Sequence, residues 1–171
     1  MKKLIPFLFI AISCQSSEDM LSTVTEESRR VATKAFEVVA AGDYDAMNLY
    51  IANDYKRHCQ ATPDIIVNNL DQFKDFIRND RLSVPDQSLI INHLVAEKNL
   101  VAFYATYEGT QTGQMGPFPP SGKKVSLDFA GVHRIEDGKI AETWITWDNL
   151  AVLSQLGHFP PTPPEDHLGL E

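Results

Sequence analysis

The spacing of apolar side chains along this chain changes once, and Pro85-Asp86 marks the place. Before it the period is helical. Val31, Ala35, Val38 and Val39 line one face of Ser22–Ala41, which opens on Ser, Thr and Glu and stops at Gly42. Leu70, Phe73, Phe76 and Ile77 form a broad apolar face over Asn69–Arg81. Between these segments Met47, Leu49, Tyr50 and Ile51, behind a polar start, predict a second short helix over Asp43–Tyr55. After Pro85 the period is two, and Ser88–Glu97, Leu100–Gly109, Val125–Ile135 and Ile140–Asn149 read as strands. A tight turn, a long glycine- and proline-rich loop and Glu136-Asp137-Gly138-Lys139 separate them. Helices first and strands after make an α+β chain, with amino-terminal helices covering one hydrophobic face of a curved, mostly antiparallel sheet. Aligned strands could instead close a small barrel. The 171 residues suffice for one well-buried core and leave little room for a second.

The two ends read differently from this body. Lys2 and Lys3, the apolar run from Leu4 to Ile12, and Ser13 before Cys14 form a basic and apolar leader too short to cross a bilayer as a helix. Ala11-Ile12-Ser13-Cys14 resembles a bacterial lipoprotein processing site with Cys14 as the lipidated first residue of the mature chain, and Gln15 after it fits outer-membrane sorting. The expectation is an exported, membrane-anchored lipoprotein; secretion or a periplasmic location is the alternative. The chain then divides into a leader over 1–13, a lipidated cysteine and tether over 14–21, a domain over 22–157 and a proline-rich tail over 158–171. With Cys14 modified, Cys59 has no partner for an intramolecular disulfide, so the fold rests on packing.

Charge and motifs exclude several chemistries. Fifteen basic against twenty-three acidic residues give a net charge of -8, which argues against a nucleic-acid surface. There is no glycine-rich nucleotide loop, HExxH, paired CxxC or nucleophile elbow, and the five histidines are dispersed, so no metal and no organic cofactor is expected. What remains is side-chain acid/base chemistry. In the last strand Asp148 shares the phase of Trp144, and a carboxylate beside an indole would have its charged form desolvated, as suits a general acid or base. The competing reading is that Asp148 caps a helix starting at Asn149 or Leu150. His133 shares a strand face with Phe129, and His58 follows the second helix, where it could turn into a cleft or lie on the surface.

From Val84 to Gly157 the chain resembles the SnoaL-like polyketide cyclase, or ester cyclase, branch of the NTF2-like proteins. The resemblance rests on Pro85-Asp86, Gly109-Thr110 with Gly113, the Pro120-Ser121-Gly122 turn, Asp137-Gly138-Lys139-Ile140 leading to Glu142 and Trp144, and Asp148 followed by Gln155-Leu156-Gly157. It implies a cone of curved sheet and helices around an apolar cavity, and a homodimer formed through the sheet. It also implies metal-free acid/base catalysis with Asp148 as the acid/base and His133 and His58 as pocket partners. Trp144, Phe129 and Tyr104 would form the apolar wall, and Met115 with Phe118 a lid. The leading expectation is a cofactor-independent enzyme acting on a small, mostly apolar carbonyl or ester compound. The alternatives are a noncatalytic lipoprotein binding a small apolar or amphipathic molecule in the same cavity, and a protein-interaction module.

Overall fold

The computed structural model describes residues 17–159. The leader with Cys14 and nearly all of the proline-rich tail lie outside these residues. Among the described residues no helix is long and apolar enough to cross a membrane.

The element order is α1 (Ser17–Ala41), α2 (Met47–Tyr50), β1 (Ile51–Cys59), α3 (Leu70–Ser83), β2 (Ser88–Glu97), β3 (Leu100–Thr110), β4 (Lys124–Glu136), β5 (Lys139–Trp147) and α4 (Asn149–Leu156). The strands form one sheet in the order β1-β5-β4-β3-β2. It is open, with β1 and β2 at its edges, so the barrel alternative is excluded. Three of the pairings are antiparallel and β1 lies parallel to β5.

The second helix is the main correction. Only one turn, Met47–Tyr50, is helical, and the chain then extends into β1. Its register against β5 slips between Ile51 and Lys56, and the buried positions Ile51, Tyr55 and Arg57 keep one period-two phase. The strand is hidden in the sequence because polar Asn53 and Arg57 share the phase of Ile51 and Tyr55, so no apolar alternation shows.

An irregularity between Arg134 and Ile135 on the β4–β5 ladder does change the phase. Ile140 and Thr143 are both buried, at 3% and 2% exposure, because one extra residue reverses the phase of everything after it. Thr143, Ile145 and Trp147 therefore face inward, while Trp144 lies on the outer face.

Helices α1 and α3 cover the inner face. Val31, Ala32 and Ala35 of α1 pack in one cluster with Leu70 and Ile77 of α3 and with Ile51, Tyr55 and Val101 of the sheet. Asn69 caps α3 by accepting from the Gln72 amide, and Arg81 near its other end donates to the carbonyls of Val39 and Ala40 at the end of α1. These contacts fix the angle at which the last turn of α3 meets the sheet. Opposite, α4 is tied to β4 by the Gln155 amide, which accepts from Ser126 N at 2.9 Å and donates to Ser126 O at 3.0 Å. One close approach demands a glycine: a Cβ on Gly131 would sit 2.5 Å from both Phe103 Cζ and the Trp144 carbonyl oxygen.

Candidate active site

Between α1, α3, α4 and the inner sheet face lies a cavity of about 280 Å³. Its walls are mostly apolar, with Phe36, Phe73, Phe76, Leu127, Phe129 and Trp147 among them. The volume is just under the ~300–1,000 Å³ of ordinary ligand pockets, so it takes a small molecule.

Few polar side chains reach this space, and each has a structural reason to be there. Asp80 stands on the face of α3 that carries Phe73, Phe76 and Ile77, one turn further on. Its Oδ2 accepts from Gln87 Nε2 at 2.9 Å, and the Tyr107 hydroxyl lies 3.2 and 3.3 Å from its two oxygens. Burial raises its pKa above the ordinary carboxylate value, more than the donors Gln87 and Tyr107 and the charges of Arg81 and Arg57 lower it. The Tyr107 phenol is pushed up in turn, by burial and by the carboxylate beside it. Asp80 is thus held in place by two donors while burial disfavours its charged form, an environment that suits a proton-transfer group.

His133 lines the cavity from β4, buried at 8% exposure. Its Nδ1 is 2.8 Å from Thr143 Oγ1, and its ring stacks on Phe103 at 4.6 Å. Burial pulls its pKa down to about 3, so it acts as a neutral hydrogen-bonding group rather than a cation. Tyr55 lies beside Thr143, and burial pushes its phenol up to about 12. Arg57 projects from β1 with its guanidinium 4.6 Å from the centre of the Phe76 ring and 5.5 Å from that of Trp147. It is 8% exposed, and its Nη1 is buried without a hydrogen-bond partner.

The residues expected from the sequence divide between the two sides of the sheet. His133, Phe129 and Met115 line the cavity. Asp148 does not: it is exposed and caps α4, its Oδ1 accepting from Ala151 N at 2.9 Å. Trp144 and Tyr104 are on the outer face, 43% and 41% exposed. His58, on β1 rather than at a helix end, stacks on Trp144 at 5.3 Å with its Nε2 2.6 Å from Glu142 Oε1. Tyr104 donates to Asp128 in a separate network on that face. The reversed phase of β5 moves Trp144 outward, and the end of the strand at Trp147 leaves Asp148 free to cap. Phe118 stacks on His158 at 4.8 Å and braces the backbone of Met115 instead of reaching the cavity. The Met115 loop is knit together by the fully buried Gln111, which donates to Pro119 O and Gly113 O. Among the described residues no three His, Cys, Asp or Glu side chains converge as metal ligands.

Asp80, Tyr107, Gln87 and Arg57 were not singled out from the sequence. A carboxylate at helical spacing from Phe73, Phe76 and Ile77 is the signal that marks Asp80. Arg57 was hidden by reading β1 as helix and loop.

Comparison with known proteins places this geometry. TsrD from Streptomyces laurentii superposes with a TM-score of 0.70 at 24% identity, over 78% of this chain and 97% of its own. IdmH from Streptomyces antibioticus gives 0.68 at 24% identity over 76% and 98%. A SnoaL-like polyketide cyclase from Jannaschia sp. CCS1 gives 0.72 at 18% identity over 80% and 96%. At these identities the likeness establishes the fold, the NTF2-like cone. No curated protein matched the chain. The sequence model of the SnoaL-like polyketide cyclases matches residues 29–156, which include every strand, the cavity-lining part of α1 and all of α3 and α4, and the chain therefore belongs to that family.

Proposed function

We propose that the chain is a cofactor-independent acid/base enzyme acting on a small, mostly apolar carbonyl or ester compound, with Asp80 as the proton-transfer group. One observation carries this reading: a carboxyl group with raised pKa, fixed by Tyr107 and Gln87, in the wall of an apolar cavity. In its charged form Asp80 removes a proton from the carbon next to the substrate carbonyl, and the electron pair left behind moves onto the carbonyl oxygen as an enolate. In its protonated form it returns that proton, to carbon in an isomerisation or to the new alkoxide oxygen in a ring-closing aldol addition. Atoms and charge balance in either sequence without a redox partner. Tyr107 and Gln87 keep the carboxyl oxygens at a fixed angle, which selects one face of the substrate carbon. His133, neutral and anchored through Thr143, is a hydrogen-bonding group for the oxygen on which charge develops.

Family membership supports proton chemistry of this kind, and the size of the cavity supports a small substrate. The test is isotope exchange. A β-keto ester and an aryl ketone are incubated with the protein in D2O, and deuterium at the α-carbon is read by NMR. Wild type accelerates exchange over buffer, and Asp80→Asn lowers the rate by about 100-fold or more, the scale of one general base. Equal rates in the two proteins refute the assignment. A noncatalytic binder would take up the same probes without exchange.

A further inference from the structure

A guanidinium inside an apolar cavity with one nitrogen unpaired calls for an acceptor that the protein does not itself provide. Arg57 is over nine-tenths buried, and among the described residues no hydrogen-bond partner reaches its Nη1. It forms no ion pair within 4.0 Å: every pair among the described residues lies in α1, in α3 or on the outer face. Its Cζ lies over the rings of Phe76 and Trp147, which take up no N–H donor as a conventional acceptor would, and the residue lines the cavity. A second orphan lies in the segment that follows β1. Thr62 Oγ1 is buried, lines the same cavity and has no partner. Leaving a buried cation unpaired is costly, so such a group is retained where a bound anion completes it.

We infer that Arg57 and Thr62 form a carboxylate subsite, and that the ligand of this cavity is a small apolar molecule bearing a carboxylate at one end. The planar fork of Arg57 matches a carboxylate through two parallel N–H donors, and the Thr62 hydroxyl donates a third hydrogen bond. The apolar remainder of the ligand lies along Phe73, Phe129 and Leu127. Anchoring one end in this way fixes which carbon is presented to Asp80. The inference rests on the cavity being the ligand site proposed above, but it does not depend on Asp80 being the base.

The experiment uses octanoate and, as its uncharged counterpart, 1-octanol. The chain has two tryptophans, so Trp144→Phe on the outer face leaves Trp147, beside the guanidinium, as the sole tryptophan, read by excitation that spares the tyrosines. In the Trp144→Phe protein octanoate binds at least about tenfold more tightly than 1-octanol, the lower end of what a charge-assisted hydrogen bond supplies. Adding Arg57→Met abolishes this preference while 1-octanol binds as before, and Arg57→Lys keeps part of it. Equal binding of the two probes to the Trp144→Phe protein, or a preference that survives Arg57→Met, overturns the subsite and leaves the cavity reading standing. Failure of both probes to bind overturns the subsite and the cavity reading together. Loss of isotope exchange in Asp80→Asn is independent of these outcomes.

Discussion

Acidification should destabilise this fold through one buried ring. His133 has an ordinary pKa of 6.5 when unfolded and about 3 when folded, because burial among Phe36, Phe103 and Thr143 disfavours the imidazolium. Above pH 6.5 both states are neutral and the full contribution is present. Below it the unfolded chain binds a proton that the folded chain refuses. Stability then falls by about 1.4 kcal/mol per pH unit until the folded ring itself titrates near pH 3, a total of about 5 kcal/mol. Asp80 works in the opposite direction, since a raised carboxyl pKa makes the folded chain the better proton binder as pH falls. Asp86, Asp128 and Glu142, held below their ordinary values by hydrogen bonds, add a loss of the same sign as His133 at lower pH. The contribution of the ring is therefore isolated by difference, with His133→Gln keeping a polar partner for Thr143 and removing the titration. Urea unfolding of both proteins at several pH values gives their stability gap. Between pH 6.5 and pH 4.5 that gap should move against wild type by about 2 kcal/mol. A gap that stays flat over this range would refute the reasoning, since it would mean that the folded protein protonates His133 as readily as the unfolded chain does.

Other expectations follow from single contacts. Tyr107→Phe removes a donor from Asp80, which favours its protonated form further. The pH limb of the isotope-exchange rate should move upward, and urea unfolding should register a loss of about 1 kcal/mol. Gly131→Ala forces a methyl group against the Phe103 ring and the Trp144 carbonyl, one of them backbone that cannot swing aside. Its cost, read from the urea midpoint, should be about 1–3 kcal/mol, and an unchanged midpoint would show that the strands can part at no expense.

The strands β3 and β4 were legible because they alternate cleanly, and β2 because its period of two holds on either side of a register shift between Ile91 and His93; the motifs that carried the family resemblance meet in space. Asp86 accepts from Thr110 N and Oγ1 at 2.6 and 2.7 Å, and Gly109 is bare because a Cβ there would strike Val84. Gln155 fastens α4 to β4 and Gly157 ends that helix at a φ of 76°. The site was less legible, for a local reason. A one-residue irregularity on the β4–β5 ladder reverses which side chains of β5 point inward, which period-two counting cannot register, and β1 has too few apolar side chains at its inward positions to read as a strand. Trp144 and His58 consequently lie on the outer face although they were expected in the pocket. Asp148 was open to two readings from the start, and the geometry selects the cap. Asp80 was concealed differently: with Asp71 and Asp75 on the same amphipathic helix, it reads as part of the polar face unless its angular position is followed.

The proton-transfer group is assigned to the carboxyl on α3 and not to the one at the end of β5. Asp80→Asn and Asp148→Asn, compared side by side in the deuterium-exchange assay with a β-keto ester, test it most directly. Asparagine caps a helix as well as aspartate does, so Asp148→Asn preserves α4 and changes only the charge. The account predicts that Asp148→Asn exchanges at the wild-type rate and Asp80→Asn falls by about 100-fold or more. The reverse pattern, with exchange lost in Asp148→Asn and kept in Asp80→Asn, would contradict it.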